Sequence, residues 1–113
     1  MKIYTFVNLT PHQVVLCGQV VPPSGSIARV AVTRTHYGTH GGVPMFLSEY
    51  GEVTVAGEIT AIPERTSDTM YIVSAMVRLA LSSRIDIGSP ADLVRDGAGN
   101  IVGANSLDVN CGY

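Results

Sequence analysis

Residues 7–16, Val-Asn-Leu-Thr-Pro-His-Gln-Val-Val-Leu, interrupt an apolar strand pattern with Asn8, Thr10, Pro11 and His12. An amide, a hydroxyl and an imidazole within five residues could form one wall of a polar pocket. The same residues also have a purely local use: Thr10-Pro11 turns the chain, and Asn8 and His12 satisfy the backbone groups freed by the turn. A second polar group falls at Ser74, where Tyr-Ile-Val-Ser-Ala-Met-Val (71–77) passes from strand to helix. A helix N-terminus offers unpaired N–H groups and a partial positive charge, both favourable to an anion. Ser74 would add a hydroxyl, and Arg84 or Arg95 a charge-assisted fork. The simpler account is that Ser74 caps its own helix.

Two arginines have a carboxylate close by, Arg84 with Asp86 and Arg95 with Asp96. In a strand, Arg84 and Asp86 share a face. The plain role of both pairs is to tie loops to carboxylates, with Asp96 opening a turn. The residues predicted to bind a ligand are therefore Asn8, Thr10, His12, Ser74, Arg84, Asp86 and Arg95. No residue is assigned a catalytic role.

Other chemistries find less support. His36 and His40 are four apart, but Tyr-Gly-Thr separates them and Gly41-Gly42 follows, so a shared helical face is not assured. Thr39 stands where a His-Glu-x-x-His motif would need glutamate. With His12 a three-histidine site is conceivable, yet no metal site is assigned and no cofactor is expected. Gly-x-Ser-x-Gly, a glycine-rich phosphate loop and the zinc-deaminase signature are all missing. Cys17 and His12 lie five residues apart across a predicted strand, which points their side chains to opposite faces. Glu49, Glu52, Glu58 and Glu64 form no distinctive pair.

The elements that must position these groups are mostly strands. β-branched runs at 2–7, 13–21, 26–33, 52–56 and 69–73 alternate with Gly and Pro. Pro22-Pro23-Ser24-Gly25 predicts a turn joining strands 13–21 and 26–33 into a hairpin. The segment 35–44 is the most flexible in composition, a turn is expected at Gly51, and 63–68 is a polar loop. Thr-Met-Tyr-Ile-Val is a continuous apolar strand of the kind buried on both faces. Residues 75–83 have the best helical composition, with Ala75, Met76, Leu79 and Ala80 on one face. Residues 93–103 predict a hairpin turning at Asp96–Asn100. The expected fold class is α+β: a small, mostly antiparallel β-sheet domain with one central helix at about 75–83, formed by residues 1–113 as a single domain.

The chain has 113 residues, 46% of them hydrophobic and only 14% charged, with a net charge of −2. A typical soluble domain is about 25% charged. So low a value on a small chain predicts surface covered in a homo-oligomer. Lys2 and six scattered arginines make no basic run, so nucleic acid is not an expected partner. No apolar stretch reaches membrane-spanning length, and the first residues lack a signal-peptide pattern. The expected location is cytoplasmic, with Asn8-Leu9-Thr10 an accidental sequon and the two cysteines, Cys17 and Cys111, free of any zinc-binding pattern.

Asn-Leu-Thr-Pro-His, Pro-Pro-Ser-Gly, Tyr-Gly-Glu-Val, Tyr-Ile-Val-Ser, Arg84-x-Asp86 and Val-Arg-Asp-x-x-Gly in this order resemble a group of small uncharacterised proteins of phages, plasmids and prokaryotic genomes. The matching residues are Asn8, Thr10, Pro11, His12, Ser24, Gly25, Arg29, Ser74, Arg84, Asp86, Arg95 and Asp96. The resemblance implies a shared single-domain fold and carries no activity; the Thr-His-Tyr-Gly-Thr-His-Gly-Gly segment has no counterpart in it. The expected function is a small non-enzymatic binding module that holds an anionic small molecule or a host partner protein, as in counter-defence, in the host cytoplasm if viral. A small hydrolase using His12 with Asp86 or Ser74, and a structural virion-accessory protein, are the alternatives.

Overall fold

The computed structural model describes residues 5–110, so any pairing of Cys17 with Cys111 lies outside the described residues. Eight strands and one helix follow the chain as β1 (Thr5–Asn8), β2 (Val14–Leu16), β3 (Gln19–Val21), β4 (Ile27–His40), β5 (Val43–Ala56), β6 (Thr69–Ile72), α1 (Ala75–Ala80), β7 (Ile87–Arg95) and β8 (Ile101–Val109). Six of the strands form one sheet in the order β1-β6-β7-β8-β2-β3, and β4 and β5 pair separately. A bridge between Asn8 and Pro23 brings the far edge of the sheet back to β1, so the sheet is nearly closed.

The architecture is mostly β with a single short helix among the described residues. The six-stranded sheet is mixed, with β1–β6, β6–β7 and β2–β8 parallel and β2–β3 and β7–β8 antiparallel, while the long β4–β5 and β7–β8 pairs make most of the paired residues antiparallel, as expected. Parallel neighbours need a crossover, and α1 supplies it between β6 and β7. The helix stops at Ala80, three residues short of the predicted end. Asn110 explains its anchoring there, donating from Nδ2 to the carbonyls of Leu81 (2.8 Å) and Arg84 (3.0 Å).

Alternation along β6 divides the interior. Ile72 points into the closed sheet with Leu16, Val21 and Ala104. Tyr71 and Val73 point out of it, against Val77 of α1 and Ala28 and Val55 at the start of the β4–β5 ribbon. One apolar strand thus serves two cores, as its unbroken run of large side chains predicts. Among the described residues no helix is long and apolar enough to cross a membrane.

Three turn assignments differ from expectation. Residues 13–21 are two strands, because Cys17 and Gly18 both take positive φ (49° and 80°) and form a two-residue turn. The partner of β4 is accordingly β5 and not the 13–21 segment. Gly51 lies inside β5: the register shift there sets Gly51 and Glu52 against Ala31, a bulge that replaces the expected turn. The segment 35–44 is the end of the β4–β5 ribbon, closed by Gly41 and Gly42 at φ 57° and 80°. Positive φ at both central residues matches the right-handed twist of the flanking strands. Gly57, at φ 133°, is needed for a different reason: a Cβ there would stand 2.2 Å from the Gly25 carbonyl oxygen.

The β7–β8 hairpin turns at Asp96–Asn100, as its sequence predicts. Asp96 Oδ1 accepts from the N–H groups of Ala98 (2.9 Å) and Asn100 (3.0 Å). These donors, Asn100 first and Ala98 next, hold the Asp96 carboxyl below its ordinary value of 3.8. A carboxylate favoured in the folded state stabilises above its unfolded pKa, and that contribution is lost as pH falls through the folded pKa. An NMR titration is therefore expected to show Asp96 titrating below an unfolded reference peptide, with the Ala98 and Asn100 amide shifts moving at the same midpoint. In Asp96→Asn that amide titration disappears.

Candidate functional site

Asn8 is 1% exposed, and every hydrogen-bonding position of its side chain is in use. Nδ2 donates to the His12 carbonyl (2.8 Å) and the Val21 carbonyl (3.1 Å). Oδ1 accepts from the Thr10 N–H (2.9 Å), and the Thr10 hydroxyl lies 2.6 Å from it and 3.0 Å from the His12 carbonyl. The main chain continues the knot: Leu9 N–H donates to Ile72 O, Ser24 N–H to Asn8 O, and Ala28 N–H to Leu9 O, at 2.8, 3.0 and 2.9 Å. Asn8 is therefore a tie between the first strand, the end of β3 and the start of β4, with no capacity left for a ligand. His12 takes part through its carbonyl, while its ring is exposed on the turn.

Arg84 and Asp86 are likewise occupied. Asp86, 4% exposed, receives both Nε (2.9 Å) and the terminal NH2 nitrogen (2.5 Å) of Arg84, which also donates to the Pro63 carbonyl. This fork fastens the 57–68 loop to the end of the sheet. The hydrogen bonds that Arg84 donates to Asp86 raise the Arg84 pKa above its usual range. Beneath the pair, Tyr71 is pushed up chiefly by burial and then by the Asp86 charge, with Arg84 opposing. Arg95 donates to the Gly99 carbonyl across the hairpin turn (2.9 Å). Arg84 thus has the structural role that its neighbouring carboxylate suggests, whereas Arg95 braces the turn through the Gly99 carbonyl and not through Asp96.

Two of the predicted residues do meet. Parallel pairing of β1 with β6 sets the end of β1 beside the strand that leads into Ser74. Between the 9–11 turn, the base of β4 and α1 lies an open groove of about 270 Å³, lined among others by Leu9, Thr10, Arg29, Ser74, Met76 and Val77. Ser74 caps α1, accepting from the Val77 N–H at 3.4 Å, and keeps its own proton to donate. With six residues, α1 is too short for its N-terminus to hold an anion by itself. Arg29 is the arginine among the groove's lining residues, and Arg84 and Arg95 are not; on β4 it alternates to the face opposite Ala28 and Val30. Its side chain is exposed and has no hydrogen bond or ion pair with any described residue. A signal was available: in the alternation of β4, Arg29 stands between the inward Ala28 and Val30, next to the turn that carries Thr10.

His12 does not line this groove, and no hydrogen bond joins it to Ser74 or Asp86 among the described residues. His36 and His40 are set on opposite faces of the ribbon, since they pair with Phe46 and Val43, three residues apart on β5. Among the described residues no three His, Cys, Asp or Glu side chains form a metal-binding group. Comparison with protein-family models, with curated proteins and with solved structures finds no match for this chain.

Replacing Asn8 by Ala removes a donor from the buried Val21 carbonyl, a donor from the part-buried His12 carbonyl and an acceptor from the Thr10 turn. Each buried polar group left unpaired costs about 1–3 kcal/mol. Urea denaturation of Asn8→Ala is expected to show a loss of about 3 kcal/mol. Asn8→Asp, which sets a carboxylate against the His12 and Val21 carbonyls, is expected to lose more at neutral pH.

Proposed function

We propose that this chain is a non-enzymatic binding module that seats a small anionic molecule in the groove between the 9–11 turn, β4 and α1. The observation that carries this reading is Arg29, the one arginine that lines the groove, which has no hydrogen bond or ion pair with any described residue. An exposed arginine at the edge of a groove lined by Leu9, Ala28 and Val77 suits a ligand with an apolar body and a carboxylate or phosphate. Ser74 supplies a hydroxyl donor at the same groove, and Thr10 a second polar edge. No nucleophile or general base is asked of any residue. In the phage setting implied by the resemblance, such a molecule would be a host defence signal removed by sequestration.

Native mass spectrometry of the chain purified from its expressing cells tests this directly. The expected result is a retained anionic small molecule that Arg29→Ala loses, with affinity for the recovered molecule falling about 10- to 100-fold, as expected for a charge-assisted hydrogen bond. Retention undiminished in Arg29→Ala would place the ligand elsewhere. A wild-type chain that retains nothing, and whose melting temperature no anionic metabolite mixture raises, would remove the reading.

A further inference from the structure

The β4–β5 ribbon leaves the body of the protein with an apolar face uncovered. Cross-strand partners share a face, so the pairs Ala28↔Val55 and Val30↔Val53 mark the side that packs into the core. β4 alternates without interruption from Ala28 to His36. The same side therefore continues outward through Val32, paired with Tyr50, Arg34, paired with Ser48, and His36, paired with Phe46, so that one polar pair lies between two pairs carrying large rings. Val32, Tyr50 and Phe46 are 42%, 56% and 42% exposed. Arg34 lies 4.2 Å over the Phe46 ring and His36 stacks on it at 5.3 Å, which stiffens the row without covering it. At the base, Tyr50 and the exposed Met76 and Leu79 of α1 frame an apolar cleft of about 160 Å³. Residues that begin in the core thus end in solvent on one continuous face.

Size and area indicate what covers it. The radius of gyration is 16.3 Å, against about 13 Å for a compact chain of this length. The accessible surface is 7533 Å². A compact monomer of 11.9 kDa has about 5,950 Å². The excess of about 1,600 Å² is twice the roughly 800 Å² that each partner buries in a standard specific interface. A two-stranded ribbon without a third layer is also marginal in water. We infer that the inner face of the β4–β5 ribbon, with the exposed side of α1, is an interface for a second copy of this chain: each ribbon lies against the other's base, and Phe46 and Tyr50 are buried between them. The inference rests on the ribbon and is independent of any ligand at Arg29.

Analytical ultracentrifugation of the full chain at micromolar concentration, with circular dichroism to verify folding, tests the interface. The wild type is expected to sediment as a dimer or larger assembly. Phe46→Glu, which puts a charge into the shared face, is expected to raise the dissociation constant at least 100-fold while keeping the strand signal. Thr35→Glu lies on the opposite face, paired with Leu47, and is expected to assemble as the wild type does. As a readout that needs no substitution, the amides of residues 32–36 in the wild type are expected to exchange more slowly as protein concentration rises. A monomeric wild type at 100 µM, assembly unaffected by a folded Phe46→Glu, or assembly broken by Thr35→Glu instead, would each overturn the inference.

Discussion

The closure of the sheet depends on one buried amide. Asn8 ends the first strand, yet its side chain reaches the last residue of β3 and its carbonyl receives the Ser24 N–H. Between β1 and the β3 side there is otherwise a single bridge. A backbone that turns at Thr10-Pro11 leaves carbonyls inside the molecule, and an unpaired buried carbonyl is expensive. Asparagine is the small side chain with two donors and an acceptor on one plane, so it can answer two carbonyls and one turn N–H at once. With the knot in place, Leu9 bonds to β6 on one side and β4 on the other, and the base of the ribbon is fixed against the barrel.

From that anchoring follow the groove and the ribbon. β4 starts beside Leu9, which brings Arg29 to the edge of the groove that Thr10 and Ser74 also line. The same strand then runs past the core, because neither a turn nor a proline interrupts it before Gly41-Gly42. Val32 and Met76 belong to both the groove and the start of the uncovered face. A second copy seated there would stand next to the groove, so binding and assembly share one corner of the fold. Arg84–Asp86 and Arg78, whose Nε donates to Ser89 Oγ at 2.8 Å, serve this corner from behind by holding α1 and its flanking loop to the sheet.

Local chemistry was legible in the sequence where it is decided locally. The Ser74 cap, the Asp96 turn, the continuous buried strand at β6 and the structural use of Arg84 with Asp86 all follow from residue type and short spacing. Pairing of distant strands is not decided that way. Nothing within 13–33 reveals that Cys17 adopts positive φ, so one hairpin was expected where a tighter one forms and β4 departs to pair with β5. Gly51 looks like a turn and becomes a bulge because strands on both sides of it find the same partner. Type and spacing leave Asn8 open between a pocket wall and a local tie, and the fold gives it the tie, while Thr10 and Ser74 come to line one groove. Arg29 has apolar neighbours in sequence, and only the position of β4 beside the first turn brings it to the groove.

Native-state hydrogen exchange across a denaturant series tests the central role of Asn8 most directly. The amides of Thr10, Ser24 and Ala28, all in or bonded to the knot, are predicted to exchange only by global opening, with the same free energy and denaturant dependence as Tyr71 and Val73 in the core strand. Exchange of Thr10 and Ser24 through a local opening several kcal/mol below the global one would contradict the account, because the sheet would then stay intact with its closing tie undone.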